Sequence, residues 1–448
     1  MFVLPCGNIN CKYEREGAIP LEKTKEAPWL NVTFESTIQP EDEDQNAKKS
    51  KSKGKILEFM AIATIPMVLV LGNSMLIPIL PTMVTELGIT KSQSSFVITL
   101  FSLTAAIFIP FAGYLSDRFG RKAVIIPSLI IYGAGGIMAG FGAVWNSYSI
   151  IIISRAIQGI GAAGTAPIAM ALVGDMYQGA TESKALGITE SSNGFGKVIS
   201  PIIGALLALI IWYASFFAFP IFCLISLIAV MWLIKEPKKQ GEPKKLKEYI
   251  SSVGKILKEK GHWLIPAFLA GSLALFTLFG VLFYLSNILE ESPYSIEGIK
   301  KGFILAIPLL GMVTTSYVTG SKIKKNGILM RWLMNIGLIM MTAALGLTIF
   351  LYSNLYVFIG LLTISSIGTG LLLPCLNTMI TGSIEKSERG MITSLYSSLR
   401  FLGVALGPPL FGWMMDKSHA VIFITVSSLA FIALGMVFFL IKPRAQVQ

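Results

Sequence analysis

The sequence predicts an all-α integral membrane protein of twelve transmembrane helices, arranged as two pseudo-symmetric six-helix halves. Three observations lead there. Hydrophobic residues fill 53% of the 448 positions and charged residues only 14%, against roughly 25% in soluble domains. Such a chain cannot cover a water-facing surface. Apolar runs long enough to cross a bilayer, roughly 20 residues each, recur along the chain. Glycines and prolines also repeat between the halves at one fixed offset.

Residues 1–55 stand apart. The segment "QPEDEDQNAKKSKSKGK" is polar and aperiodic, which predicts a disordered cytoplasmic tail. Cys6 and Cys11 have no further ligand residues nearby and read as incidental, so no metal site is expected. "MFVLP" is too short for a signal-peptide core and has no basic residue before it. The first half, 56–234, holds spans near 57–82, 94–115, 123–145, 149–174, 185–210 and 212–234. A Lys-rich cytoplasmic linker follows at 235–261. Within it, Leu246 to Leu257 reads either as a short amphipathic helix on anionic headgroups or as solvated chain. The second half, 262–441, holds spans near 263–288, 301–320, 328–351, 354–381, 390–414 and 419–441, and 442–448 forms a second cytoplasmic tail.

Orientation follows from the cations. With the N-terminus inside, inner loops receive Arg118, Arg121, Lys122, Lys184, Lys322, Lys324, Lys325, Lys386 and Arg389. Outer loops receive Lys91, Lys300, Lys301 and Lys417. The bias places both termini in the cytoplasm. It also accounts for the net charge of +12 without nucleic acid, because no soluble basic domain remains to bind one. No nucleophile–base set, P-loop or metal motif points to an enzyme.

The halves repeat. Gly320 follows Gly113 by 207 positions (320 − 113), and the same offset relates Gly403 to Gly196, Pro408 to Pro201, Gly368 to Gly161 and Pro374 to Pro167. Gly113 and Gly120 frame "GYLSDRFGRK"; Gly320 and Gly327 frame "GSKIKKNG", where the acid has been lost. Repeats of this kind build transporters with their sites between the halves.

Three motifs carry a resemblance: "GYLSDRFGRK" between the second and third spans, "RAIQGIGAAG" in the fourth, and "GFGKVISPIIGA" in the fifth. Over roughly 57–441 the chain resembles the major facilitator superfamily, in its branch of twelve-span drug:proton antiporters. Ser200 and Ala205 depart from the usual glycines of the third motif. The resemblance implies a latch at the cytoplasmic face. In it Asp117 meets the start of the eleventh span, Arg121 bridges Asp117 to Asp175, Gly113 allows close approach, and Gly120 permits the turn. It further implies export of small amphipathic compounds, drug-like or secreted metabolites, by proton antiport with alternating access at the plasma membrane. The expected partners are a small-molecule substrate, protons and the lipid bilayer. No cofactor is expected beyond the proton gradient as energy source, and a monomer is expected.

Charges inside spans are costly, about 2.5–3.5 kcal/mol each, so Arg155, Glu190, Lys197 and Arg400 stand out. Glu190, Asn193, Gly194 and Lys197 share one face of the fifth span; Thr393, Tyr396, Ser397 and Arg400 share one of the eleventh. Both stripes are expected to line a wet cavity with Asn73, Arg155, Gln158, Tyr284 and Asn377. Phe276, Phe279, Phe283 and Tyr284 offer apolar contacts to it. Glu190 reads as a proton carrier or as a salt-bridge partner of Lys197. Arg155 reads as a coupling residue or as a structural pair with backbone carbonyls and Asn73. Asp175 can also titrate. His262 and His419 lie near span ends, poor places for a proton relay. Gly194, Gly196, Pro201 and Gly204 read as a packing surface that seals against Gly403, Gly407 and Pro408. Three cavity cations against one acid leave an organic anion or zwitterion, such as a peptide antibiotic, open as substrate, and uptake or facilitated diffusion open as direction.

Overall fold

The computed structural model describes residues 41–177, 179–236, 246–323, 326–383 and 386–442. Every long element is helical, as a bilayer demands of backbone that must satisfy its own hydrogen bonds. The first half comprises α1 (Glu41–Ser74), a 3-10 turn (Ile77–Ile79), α2 (Leu80–Leu87), α3 (Lys91–Phe119), α4 (Arg121–Val144), α5 (Tyr148–Ala163), α6 (Ala166–Met176), α7 (Gly179–Ala208) and α8 (Ala214–Leu233). The second comprises α9 (Leu246–Glu290), α10 (Gly298–Ile323), α11 (Gly327–Leu351), α12 (Leu355–Ser383), α13 (Lys386–Met415) and α14 (His419–Leu440). Together α1 and α2 make the first span and α5 and α6 the fourth, so twelve spans result. Prolines 78 and 81 accompany the first break, and Gly164 with Pro167 the second.

Local signals set the boundaries. Thr90 opens α3 with a capping box: its Oγ1 accepts from the Gln93 N–H at 3.1 Å, and Gln93 Oε1 accepts from the Thr90 N–H at 2.8 Å. Asn326 and Ser418 cap α11 and α14 through the N–H groups of Leu329 and Val421. Gly88 closes α2 at φ 61°, in the left-handed region.

Two expected boundaries are corrected. α1 starts at Glu41, so 41–55, expected as disordered tail, is helical. Residues 1–40, including Cys6 and Cys11, lie outside the described residues, as do 237–245 of the linker and the tail from 443. α9 starts at Leu246, but it continues to Glu290 without a break at 261. No proline occurs before Pro266, so nothing stops the amphipathic segment from running into the seventh span.

Ten helical segments among the described residues are long and apolar enough to cross a membrane. The other two spans, α7 and α13, carry the polar stripes. Outward-facing apolar side chains such as Ile210, Trp232, Phe350 and Tyr356 are exposed, which suits a lipid surface.

Within the first half α4 packs on α5 and α8, and α3 on α5; within the second α11 packs on α12 and α14, and α13 on α9. The halves meet through α3 with α13 and α7 with α10. Because spans two and eight, and five and eleven, are repeat counterparts, these two contacts are images of each other.

The glycine motifs of α7 and α13 do not face each other. A Cβ on Gly204 would lie 2.1 Å from the Met75 carbonyl oxygen, and one on Gly403 would lie 2.1 Å from that of Ser272. Each motif therefore seats its helix against the first span of its own half. Across the halves, Gly194 faces Val313 of α10, while Gly302 of α10 meets the Pro201 carbonyl and Ala205. Gly407 packs on Phe276 and Gly280; Pro408 lies inside α13. We expect Gly403→Leu to lower stability by about 1–3 kcal/mol or more, the usual cost of overpacking. A thermal unfolding midpoint equal to that of the wild type would contradict the close approach.

Candidate functional site

Two polar regions matter: one at the end carrying the α3–α4 turn, called here the basic end, and one at mid-depth. Gly120 turns the chain between α3 and α4 at φ 106°, where a side chain would be strained. That turn brings Arg121 back over α3. Its Nη1 lies 2.8 Å from Asp117 and donates to Ser116 Oγ at 2.7 Å, while its Nε donates to Asp175 at 2.8 Å. Asp117 and Asp175 are 39% and 47% exposed, so water screens both pairs. The whole bridge lies within the first half. Asp117 reaches the second half, where a Cβ on Gly390 in the first turns of α13 would lie 3.9 Å from its Oδ2. Gly113 is buried on α3, the helix that packs on α13. Arg118 donates to the Tyr114 hydroxyl at 3.3 Å and stands over Phe119, outside the bridge.

Sequence reasoning missed Glu236. Its carboxylate accepts from the backbone N–H groups of Arg121 at 2.5 Å and Lys122 at 2.9 Å, filling the open N-terminus of α4. Lys122 answers by donating its Nζ to the carbonyls of Met231 and Ile234 at the end of α8. A lone acid directly after the sixth span, in a Lys-rich stretch, was the available signal. Nearby, Tyr177 donates to Glu58 at 2.6 Å. Burial, and then that bond, raise the Tyr177 phenol well above the ordinary tyrosine range.

Asp117→Asn removes the ion pair and the acid beside α13. The Arg121 pair lies inside the first half and is kept in both states, so the acid beside α13, worth about 0.3–1 kcal/mol, sets the shift: the population open at the basic end should rise about two- to fivefold. Cysteine labelling at that end of α13 reads the shift; an unchanged rate would remove Asp117 from any latch.

The far end is closed by direct contacts between halves. Lys91 pairs with Glu291, Ser286 Oγ donates to the Ile77 carbonyl at 2.8 Å, and Thr99 Oγ1 donates to that of Ala405 at 2.8 Å.

At mid-depth the expected cavity set divides. Arg155 is fully buried on α5, donating to the carbonyls of Val97 (2.8 Å) and Gly72 (3.0 Å), to Gln158 Oε1 (2.6 Å) and to Asn73 Oδ1 (3.0 Å). Its guanidinium also stands 4.3 Å from the Phe101 ring centroid. Asn73 donates in turn to Ser102 and Gln158 to the Tyr132 carbonyl. Asn73, Arg155 and Gln158 are thus a buried tie between α1, α3, α4 and α5 rather than cavity lining. Guanidinium geometry explains this: a planar donor fork collects several acceptors at once. Tyr284 is also corrected. It is buried at the far end, bonded to His419 Nδ1 and ringed by Phe358 and Phe423. Phe276, Phe279 and Phe283 are buried as well, Phe276 against Phe411. α9 turns its aromatic side chains into the core of its own half.

Of the remaining cavity candidates, Glu190, Asn193 and Lys197 lie on α7, and Tyr396 and Arg400 on α13. Glu190 is exposed and makes no ion pair among the described residues. Lys197, half-buried, lies close enough to feel the charges of Glu190 and of Arg400 on the facing helix. The Arg400 guanidinium sits 5.5 Å from the Tyr396 ring centroid, and Tyr396 stacks on Phe268 at 5.6 Å. Asn193 Oδ1, Tyr396 Oη and Arg400 Nε are buried without a hydrogen-bond partner. Asn377 is half-buried on α12.

This geometry now meets known proteins. The model of the Major Facilitator Superfamily matches residues 62–344 and 301–448. The Bacillibactin exporter of Bacillus subtilis (strain 168) is 44% identical over 390 residues, covering 86% of this chain and 96% of its own length. Multidrug resistance protein 1 of the same strain is 26% identical over 352 residues, covering 77% of this chain and 86% of its own. Among solved structures, the human organic anion transporter MFSD10 (TETRAN) matches with a TM-score of 0.69 at 18% identity, over 85% of this chain and 99% of that one. That likeness shows the fold alone. Two repeated halves joined by α3–α13 and α7–α10, together with a family match along most of the chain, settle its place: it belongs to the Major Facilitator Superfamily, as a multi-pass membrane transporter.

Proposed function

We propose that the protein exports bacillibactin, or a small compound akin to it, from the cytoplasm in exchange for protons, by alternating access. The observation that carries the reading is the set of charged and partner-poor side chains on α7 and α13, set between halves whose far end is closed. A carrier needs such a site at mid-depth, and two gates that open in turn. The similarity to an exporter of bacillibactin supports the direction and the cargo. The protein works as a monomeric carrier in the plasma membrane, with the basic end and both termini in the cytoplasm. It performs no enzymatic step and needs no cofactor, the proton gradient supplying the energy.

Inside-out vesicles test this. Bacillibactin should accumulate in them only when the lumen is made acidic. Movement that ignores the imposed gradient would remove antiport, and loss from the lumen under the same gradient would reverse the direction.

A further inference from the structure

The mid-depth charges do not balance. Lys197 on α7 and Arg400 on α13 lie within electrostatic range of each other. Glu190 is the acid that acts on Lys197, but it is exposed and within no ion-pair distance of it among the described residues. Like charges held near each other away from bulk water repel and ask for a counter-ion.

The hydrogen-bond account points the same way. Arg400 Nε and the Tyr396 hydroxyl are donors buried with no acceptor, and Tyr396 is only 3% exposed. Buried donors are almost always satisfied, so this pair is an anomaly that a bound acceptor would resolve. Tyr396 is held rigidly by its stack on Phe268 and by Arg400 over its ring. The donors are therefore fixed in place before any ligand arrives, which lowers the ordering cost of binding.

We infer that Lys197, Arg400 and the Tyr396 hydroxyl form an oxyanion subsite between α7 and α13, which takes the acidic group of an organic anion. Asn193, whose Oδ1 is also buried and unpaired, accepts from a donor on the same ligand. The inference deepens the export reading and rests on it only for the cargo being transported, since binding needs neither a gradient nor bacillibactin.

The test uses the full chain in nanodiscs and two matched probes, 2-naphthoate and its neutral amide, with binding read by fluorescence. A charge-assisted hydrogen bond is worth about 1.5–3 kcal/mol, so wild type should prefer the acid by about tenfold or more. Lys197→Gln and Arg400→Gln should each remove most of that preference, with an unfolding midpoint like that of the wild type reporting that the variants are folded. Lys197→Arg and Arg400→Lys should keep most of it. Equal binding of acid and amide to wild type, or an unchanged preference in both glutamine variants, overturns the subsite. Should wild type prefer the acid yet never move bacillibactin in vesicles, the subsite stands and the export reading falls.

Discussion

Arg155→Met is expected to destabilise the folded protein by about 3 kcal/mol or more, because each buried acceptor left unsatisfied costs about 1–3 kcal/mol. The size follows from what is left behind. The guanidinium holds two backbone carbonyls, at Val97 and Gly72, and two side-chain oxygens, on Gln158 and Asn73, all inside the protein. Methionine matches the length of the stem and supplies no donor, so each acceptor is stranded where water does not reach. Arg155→Lys should recover part of the loss, because one ammonium reaches some of the acceptors without the fork that reaches all. The measurement is the unfolding midpoint of the purified protein, set beside bacillibactin binding. A Met variant that melts with wild type but fails to transport would return Arg155 to the role of coupling residue.

The sequence announced much of this architecture and little of the mid-depth geometry, for physical reasons. Span number and the two halves are written in composition and in a constant Gly/Pro offset, both of which survive without knowledge of contacts. The Asp117–Arg121–Asp175 arrangement was implied by the resemblance of its motif, and the structure forms it where Gly120 turns Arg121 back over α3. Periodicity, by contrast, says which residues share a face but not which neighbour that face meets. So Tyr284 and the phenylalanines of α9, placed in the cavity by their stripe, turn instead into the core. The glycines of α7 and α13 were paired with each other by likeness, whereas the repeat seats each against its own half. Glu236 escaped notice because its partners are backbone N–H groups, which have no signature in side-chain patterns.

Glu190→Gln is expected to abolish accumulation driven by an acidic lumen while bacillibactin still exchanges across the membrane. The two earlier readings of this residue differ in what they require of the structure. A salt-bridge role needs an oxygen within about 4 Å of a cation nitrogen, and Glu190 has no such partner among the described residues. A proton carrier needs access to water at one stage of the cycle and electrostatic contact with the binding site. Its exposure on α7 supplies the first and its action on Lys197 the second. Because Glu190 holds nothing together, the amide should change the unfolding midpoint little. Surface substitutions away from caps and pairs stay within about 0.5 kcal/mol. Loss of transport would then reflect chemistry rather than folding. With the carboxylate replaced by a neutral amide, the cations of α7 and α13 keep a fixed preference for anionic cargo at every pH, so a proton gradient has nothing left to act on at this position. Glu190→Asp, which keeps the titrating group one methylene shorter, should restore part of the driven accumulation. If the Gln variant concentrates bacillibactin as wild type does, the proton travels by another acid. Asp175 at the basic end would then be the residue to replace next.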